Sequence, residues 1–172
     1  YGQELESENR KREIVWKSKT WRWAMGSMNQ NSPSPSKSHQ NTIIYTDGVN
    51  IYSLDPFTGE EIWATGLPSD RNYFQHVTSH PVCDEDYIFL NCSGNNQHHP
   101  SYIVAFDAYT GKIRWSIKQD MHAGKTLMNS PAIFNDNEII VSNWNSDILL
   151  IKKTTGEITT NFNLSETSGG HY

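Results

Sequence analysis

Between Ser101 and Gln119 the chain passes from an apolar stretch through a polar turn into a strict alternation. Tyr102-Ile103-Val104-Ala105-Phe106 is β-branched and aromatic. Asp107 to Gly111 is turn chemistry, because Asp accepts nearby backbone N–H groups and Gly supplies positive φ. From Lys112 onward Ile113, Trp115 and Ile117 share one face of a period-two segment. The pattern predicts two antiparallel strands joined by a tight turn. Read the same way, the rest of the chain predicts strands at 41–45, 50–54 and 61–64, then 76–83, 86–92, 101–107 and 112–118, then 128–134, 138–143, 148–152 and 157–162. Asp47-Gly48 is a hairpin signal. Ser32-Pro33-Ser34-Pro35 sits where the first group needs its inner strand, and Glu13 to Trp16 reads as a strand on its own.

The strand–turn–strand unit recurs. Ser53-Leu54-Asp55-Pro56-Phe57-Thr58-Gly59-Glu60-Glu61-Ile62-Trp63 repeats Asp, Thr, Gly and Trp in register with 105–115. A worn copy at 151–162 keeps Thr155-Gly156 and is read with Phe162 in the Trp position; a more worn one lies near the start, with Trp16 there. The anchors Trp16, Trp63, Trp115 and Phe162 are then 47, 52 and 47 residues apart. A period of that size with strand content marks a β-propeller or a related array. Ser79-His80-Pro81-Val82 and Asn129-Ser130-Pro131-Ala132 stand at equivalent places and support the register.

These residues resemble the pyrroloquinoline-quinone-type (PQQ-like) propeller repeat and its tryptophan-docking motif. Residues 105–115 match closely, 53–63 match except for Ser53 in the Ala position, and the other two copies are partial. The resemblance implies an all-β fold, a partial β-propeller of four-stranded antiparallel blades. The expected layout is the end of a preceding blade at 1–23, blades at 29–66, 76–118 and 127–163, and the start of a next one at 164–172. It also implies that each docking Trp stacks over the Gly turn of a neighbouring blade. Family propellers commonly close with seven or eight blades, so this chain reads as an interior piece. Its isolated stability is expected to be marginal unless the missing chain or another copy completes it.

Composition narrows the function. A net charge of −5 gives no basic footprint for nucleic acid, and no apolar run approaches the length of a membrane-spanning helix. Cys83 and Cys92 fall on the order of 16 Å apart on neighbouring strands, too far for a disulfide. His98 and His99 point to opposite faces of an extended segment, and His76 and His80 lie about 13 Å apart, so neither pair is a metal motif.

In a propeller, the loops leaving the outermost strands share one rim with those joining second and third strands. On that rim the resemblance puts cofactor or partner, and the candidate residues are Arg71, Asn72, His76, His122, Lys125 and Asn129. Tyr73, His98 and His99 stand nearby. Two readings follow. One is a non-catalytic module that binds a partner protein or ligand through its rim loops, as in the periplasmic lipoprotein of outer-membrane β-barrel assembly. The other is a fragment of a PQQ- and calcium-dependent alcohol or sugar dehydrogenase. The chain has no vicinal Cys pair, Cys-x-x-Cys-His, nucleophile elbow or phosphate loop. The resemblance implies an extracytoplasmic location, periplasmic or secreted.

Overall fold

The computed structural model describes residues 34–35, 42–68, 76–94, 100–119, 130–142 and 147–164. Their strands are β1 (Ser34–Pro35), β2 (Ile43–Thr46), β3 (Asn50–Leu54), β4 (Glu61–Gly66), β5 (His76–Thr78), β6 (Val82–Cys83), β7 (Tyr87–Gly94), β8 (Ser101–Asp107), β9 (Ile113–Gln119), β10 (Ala132–Ile133), β11 (Glu138–Ser142), β12 (Asp147–Lys152) and β13 (Ile158–Asn163). They form three antiparallel sheets. The first is ordered β1-β2-β3-β4 and the third β10-β11-β12-β13; the second is β5-β7-β8-β9, with β6 also paired to β7. Each is a meander of neighbours in sequence, the blade architecture that the repeat implies. Trp16 and the first copy lie outside the described residues.

The second blade's inner strand is interrupted. His76–Thr78 pairs with Gly94 to Cys92, and Val82–Cys83 pairs with Phe89 and Ile88, one step out of register. The residues between are Ser79, His80 and Pro81. Proline has no N–H for a ladder, which accounts for the break. Ser79 bridges it: its N–H donates to the Asn91 carbonyl at 2.9 Å, and its Oγ accepts the Asn91 N–H at 3.0 Å. Cys83 and Cys92 are not joined in a disulfide, and burial pushes the Cys92 pKa up to about 12.

All three outer hairpins use one turn. The N–H of Gly59, Gly111 and Gly156 donates to the carbonyl of Asp55, Asp107 and Lys152. The N–H of each of those residues donates back to the carbonyl of Glu60, Lys112 and Glu157. Each Gly has φ near +70°, which costs a Gly nothing. The hydroxyls of Thr58, Thr110 and Thr155 accept the N–H two residues on. Asp55 Oδ1 accepts two further N–H groups at 2.8 Å. Asp107 Oδ1 accepts those of Tyr109 and Thr110 and the Thr110 hydroxyl, while Oδ2 takes Arg114. In the third turn Lys152 replaces the Asp and pairs with Glu157 at 2.6 Å.

The blades meet through two cores. Ile44, Ile51 and Leu67 of the first blade pack with Ile88, Leu90, Val104 and Phe106 of the second, and Trp63 lies against them. Phe89, Ile103 and Ala105 of the second pack with Ile139, Val141, Leu149 and Ile151 of the third, flanked by Trp115 and Ile117. The docking is between consecutive blades. A Cβ on Gly111 would stand 2.3 Å from the Trp63 ring, and one on Gly156 2.8 Å from the Trp115 ring. Only a bare backbone accepts the indoles at that distance. The two joints differ in their polar contacts. Trp115 Nε1 donates to the Lys153 carbonyl at 2.7 Å. Trp63 Nε1 is buried without a partner, and there Thr65 Oγ1 donates to the Gly111 carbonyl at 2.8 Å.

The third blade corrects the repeat alignment. Trp63 pairs with Ser53 and Trp115 with Ala105, each next to a bulge, and each lies four residues after its turn Gly. The residue in that place in β13 is Thr160, which pairs with Leu150 beside the same bulge. Phe162 pairs with Ile148, two residues farther along, where the other blades have Thr65 and Ile117. It is not the docking anchor, and it is 51% exposed. Counting from aromatic to aromatic misplaced the register; the Gly is the fixed point, because the turn hydrogen bonds set it.

Trp115→Ala is expected to cost about 3–5 kcal/mol in chemical unfolding, and a loss under about 1 kcal/mol would contradict the docking role. For Asp107, burial pushes the pKa up, but the N–H and hydroxyl of Thr110, Arg114 and the Tyr109 N–H outweigh it and hold the carboxyl below its ordinary value. A depressed folded-state pKa stabilises the fold above the unfolded-state value of about 3.9, and that stabilisation is lost as pH falls through the folded value. The stability gap between the parent chain and Asp107→Asn should therefore close below about pH 4. A gap independent of pH would refute the assignment.

Candidate functional site

Of the six rim residues expected from sequence, Arg71, Asn72, His122, Lys125 and Asn129 lie outside the described residues. The backbone of His76 opens β5, opposite Gly94. The described part of the same rim is the β2–β3 hairpin. Asp47 Oδ1 accepts the N–H groups of Val49 and Asn50 at 2.9 and 2.7 Å. Its Oδ2 accepts the Tyr52 hydroxyl at 2.9 Å, and that hydroxyl accepts Asn50 Nδ2. Tyr45 stacks on Tyr52 with ring centroids 6.0 Å apart. Burial first, then Asp47, raises the pKa of both tyrosines, so each keeps its proton. Asp47 is buried in this arrangement. The sequence shows the Asp-Gly turn, and the Tyr-to-Asp bond becomes visible only when β2 and β3 are in register.

The opposite rim carries a feature that sequence reasoning missed. The turns joining first and second strands, at 84–87 and 135–138, and the outer turn 152–154 surround an open cavity of about 710 Å³ between the second and third blades. Its hairpins are local constructions. Asp84 Oδ1 accepts the N–H groups of Asp86 and Tyr87, and Asn135 Oδ1 those of Asn137 and Glu138. Acidic residues therefore crowd the tips. The Glu138 pKa is lowered by hydrogen bonds from Thr159 and Asn135 and by Lys152. The Tyr109 pKa is raised by burial and by the charges of Asp86, Glu85 and Asp107. Phe57, at the tip of the first outer turn, is 76% exposed, and Phe134, next to the lining residue Asn135 in sequence, is also exposed. The visible signal in sequence is the pair of polar runs Asp84-Glu85-Asp86 and Asn135-Asp136-Asn137.

Lys153 lines this cavity and ties three segments together. Its N–H donates to the Asn137 carbonyl at 2.9 Å, and its carbonyl accepts Trp115 Nε1. Its Nζ reaches Asp84 Oδ2 of the preceding blade at 3.0 Å, with side-chain exposures of 7% and 24% for the two partners. A third link joins the inner strands, where His80 N–H donates to Ser130 Oγ at 3.0 Å. Both lysines at the cavity have local acidic partners, Asp84 and Glu157. What the cavity offers to solvent is acidic and hydrogen-bonding, not nucleophilic. Among the described residues no three His, Cys, Asp or Glu side chains come together to hold a metal ion.

Four-stranded antiparallel meanders joined blade to blade by a Trp on a Gly turn define an all-β, propeller-type repeat protein. A family model described as the outer membrane protein assembly factor BamB matches residues 5–171, and the chain belongs to that PQQ-repeat propeller family. No curated protein matches it. Among solved structures it is similar to BamB from Moraxella catarrhalis, with 15% identity and a TM-score of 0.52, covering 71% of this chain and 33% of that one. It is also similar to a quinohemoprotein alcohol dehydrogenase of Pseudomonas putida HK5, with 17% identity, a TM-score of 0.59 and coverage of 71% and 25%. The corresponding enzyme of Comamonas testosteroni gives 14%, 0.57 and coverage of 71% and 26%. The chain thus spans a third or less of the length of these propellers, and at such identities the likeness is one of fold. Among the described residues no helix is long and apolar enough to cross a membrane.

Removing one member of a buried ion pair leaves the other charge uncompensated, at a cost of up to about 3–5 kcal/mol. Asp84 is partly solvated, so Asp84→Asn should cost less than that but measurably more than Glu85→Gln at the neighbouring exposed position. Equal stabilities for the two variants in urea unfolding would show that the Lys153 link carries no weight.

Proposed function

We propose that the chain is a non-catalytic propeller module that binds a partner protein through its rim loops and works outside the cytoplasm. The observation that carries the reading is the family match, which runs over almost the whole chain and is to the assembly-factor branch of PQQ-repeat propellers. The local chemistry agrees with it. The distinctive side chains of the repeat, Asp55, Asp107, Thr58, Thr110, Trp63 and Trp115, are spent on holding turns and joining blades. Residues free of that duty collect at the rims, where loops on a rigid frame ordinarily carry function. On one rim the binding residues are Arg71, Asn72, His76, His122, Lys125 and Asn129. On the other stands the acidic cavity, and Phe57 and Phe134 are exposed apolar side chains in turn segments.

Cross-linking in extracts of the source cells, with mass spectrometry to identify the linked protein, tests this. The triple variant Arg71→Ala/His122→Ala/Lys125→Ala should weaken binding of that protein about tenfold or more, the equivalent of about 1.4 kcal/mol. Asp86→Asn/Asp136→Asn reports on the other rim. Full binding by both variants would contradict the rim-loop reading. Saturable binding of PQQ in the presence of calcium would replace the module with the quinoprotein reading.

A further inference from the structure

Among the described residues of the first blade, three buried polar atoms have no hydrogen-bond partner: Thr42 Oγ1, Ser53 Oγ and Trp63 Nε1. All three belong to one face. Directly paired residues share a face of a sheet, and Ile44, Ser53 and Trp63 form one cross-strand row. Thr42 lies two residues before Ile44 and falls on the same side by alternation. That face is turned to the second blade: Ile44 packs with Ile88, Leu90, Val104 and Phe106, and the Trp63 ring lies over Gly111.

The matching face of the second blade, turned to the third, is filled differently. Its row is Val82, Phe89, Ala105 and Trp115. Ala105 takes the place of Ser53 and has no polar side-chain atom. Trp115 takes the place of Trp63, and its Nε1 donates to the Lys153 carbonyl at 2.7 Å. Tyr87 takes the place of Thr42 and stacks on Phe89, with ring centroids 5.7 Å apart. Two more bonds cross this joint, from Lys153 Nζ to Asp84 Oδ2 and from the His80 N–H to Ser130 Oγ. At the first joint Thr65 Oγ1 donates to the Gly111 carbonyl, and Ala108, in the place of Lys153, brings no charge.

A buried polar group without a partner carries its full desolvation cost, and that cost is recovered when water reaches the group. Opening the first joint relieves three such groups and breaks the Thr65 bond. Opening the second breaks the bonds of Trp115, Lys153 and His80 and strands a buried lysine. We propose that the joint between the first and second blades is the seam at which this protein opens, while the second and third blades stay together. The closed seam is held by apolar packing and the Trp–Gly contact, and its own polar atoms loosen it. Openings of this kind involve one cooperative unit and lie below global unfolding in free energy. The inference concerns motion of the frame and stands apart from rim binding.

Deuterium exchange of the Trp63 and Trp115 indole N–H groups, followed by NMR in the 172-residue chain and assigned with single Trp→Phe variants, tests the seam. The Trp63 N–H should exchange about tenfold or more faster than that of Trp115. Ser53→Ala installs the residue that the second blade carries, and it should slow Trp63 exchange about tenfold by removing an orphaned hydroxyl. Thr65→Val should speed Trp63 exchange about fivefold by removing the bond to Gly111. Neither variant should move Trp115. Equal exchange of the two indoles in the parent chain, or faster exchange of Trp115, would overturn the proposal. Ser53→Ala that leaves Trp63 exchange unchanged or speeds it would show that the hydroxyl is satisfied in the closed joint, and would overturn it too. A shift of Trp115 equal to that of Trp63 in either variant would mean that the two joints open together, with the same consequence.

Discussion

An indole ring lying on a backbone that carries no side chain sets how these blades stack. The ring supplies a large apolar area, and the Gly beneath it lets two sheets approach closely enough to share a core. The turn that presents the Gly is held by hydrogen bonds within its own six residues, so the contact surface is rigid before the neighbour arrives. The turn hydrogen bonds set the strand register, and the shared cores lie between sheets brought together at that approach distance. The ring N–H then sorts the joints: Trp115 reaches the Lys153 carbonyl, whereas Trp63 leaves its N–H without a partner.

Lys153 shows how a repeat acquires local character. At the matching place in the second blade stands Ala108, buried and with its N–H on the Asp86 carbonyl. The backbone bond is the same in both, to the hairpin between first and second strands. The lysine adds a charge that is drawn to Asp84 across the blade boundary. One substitution in a repeated frame thus couples an acidic hairpin to a neighbouring turn and shapes the cavity above both.

The fold was legible because Asp, Thr, Gly and Trp have separate physical duties in one short turn, and their spacing survives as a pattern. Legibility failed where one duty had moved. Phe162 looks like the anchor because it is the nearest aromatic, but the turn Gly counts four residues to Thr160, which pairs with Leu150. The break at Ser79–Pro81 was implicit in the proline and became definite only with the pairing of β7. The acidic cavity was not legible, since it needs hairpins from two blades to be adjacent. The Tyr52–Asp47 bond was hidden for a related reason: a side-chain bond across a hairpin depends on register. Arg71, Asn72, His76, His122, Lys125 and Asn129 rest on the rim assignment of the loops alone.

The claim that close approach to Gly holds the blades together is tested most directly by a double-mutant cycle between Trp63→Ala and Gly111→Ala. Both singles should destabilise. Because the added methyl collides with the ring only while the ring is present, the double variant should be more stable than the sum of the singles by about 1–3 kcal/mol. The residual cost of Ala at positive φ should remain in either background. Additivity within about 0.5 kcal/mol would mean that the ring and the turn are not in contact, and would contradict the account.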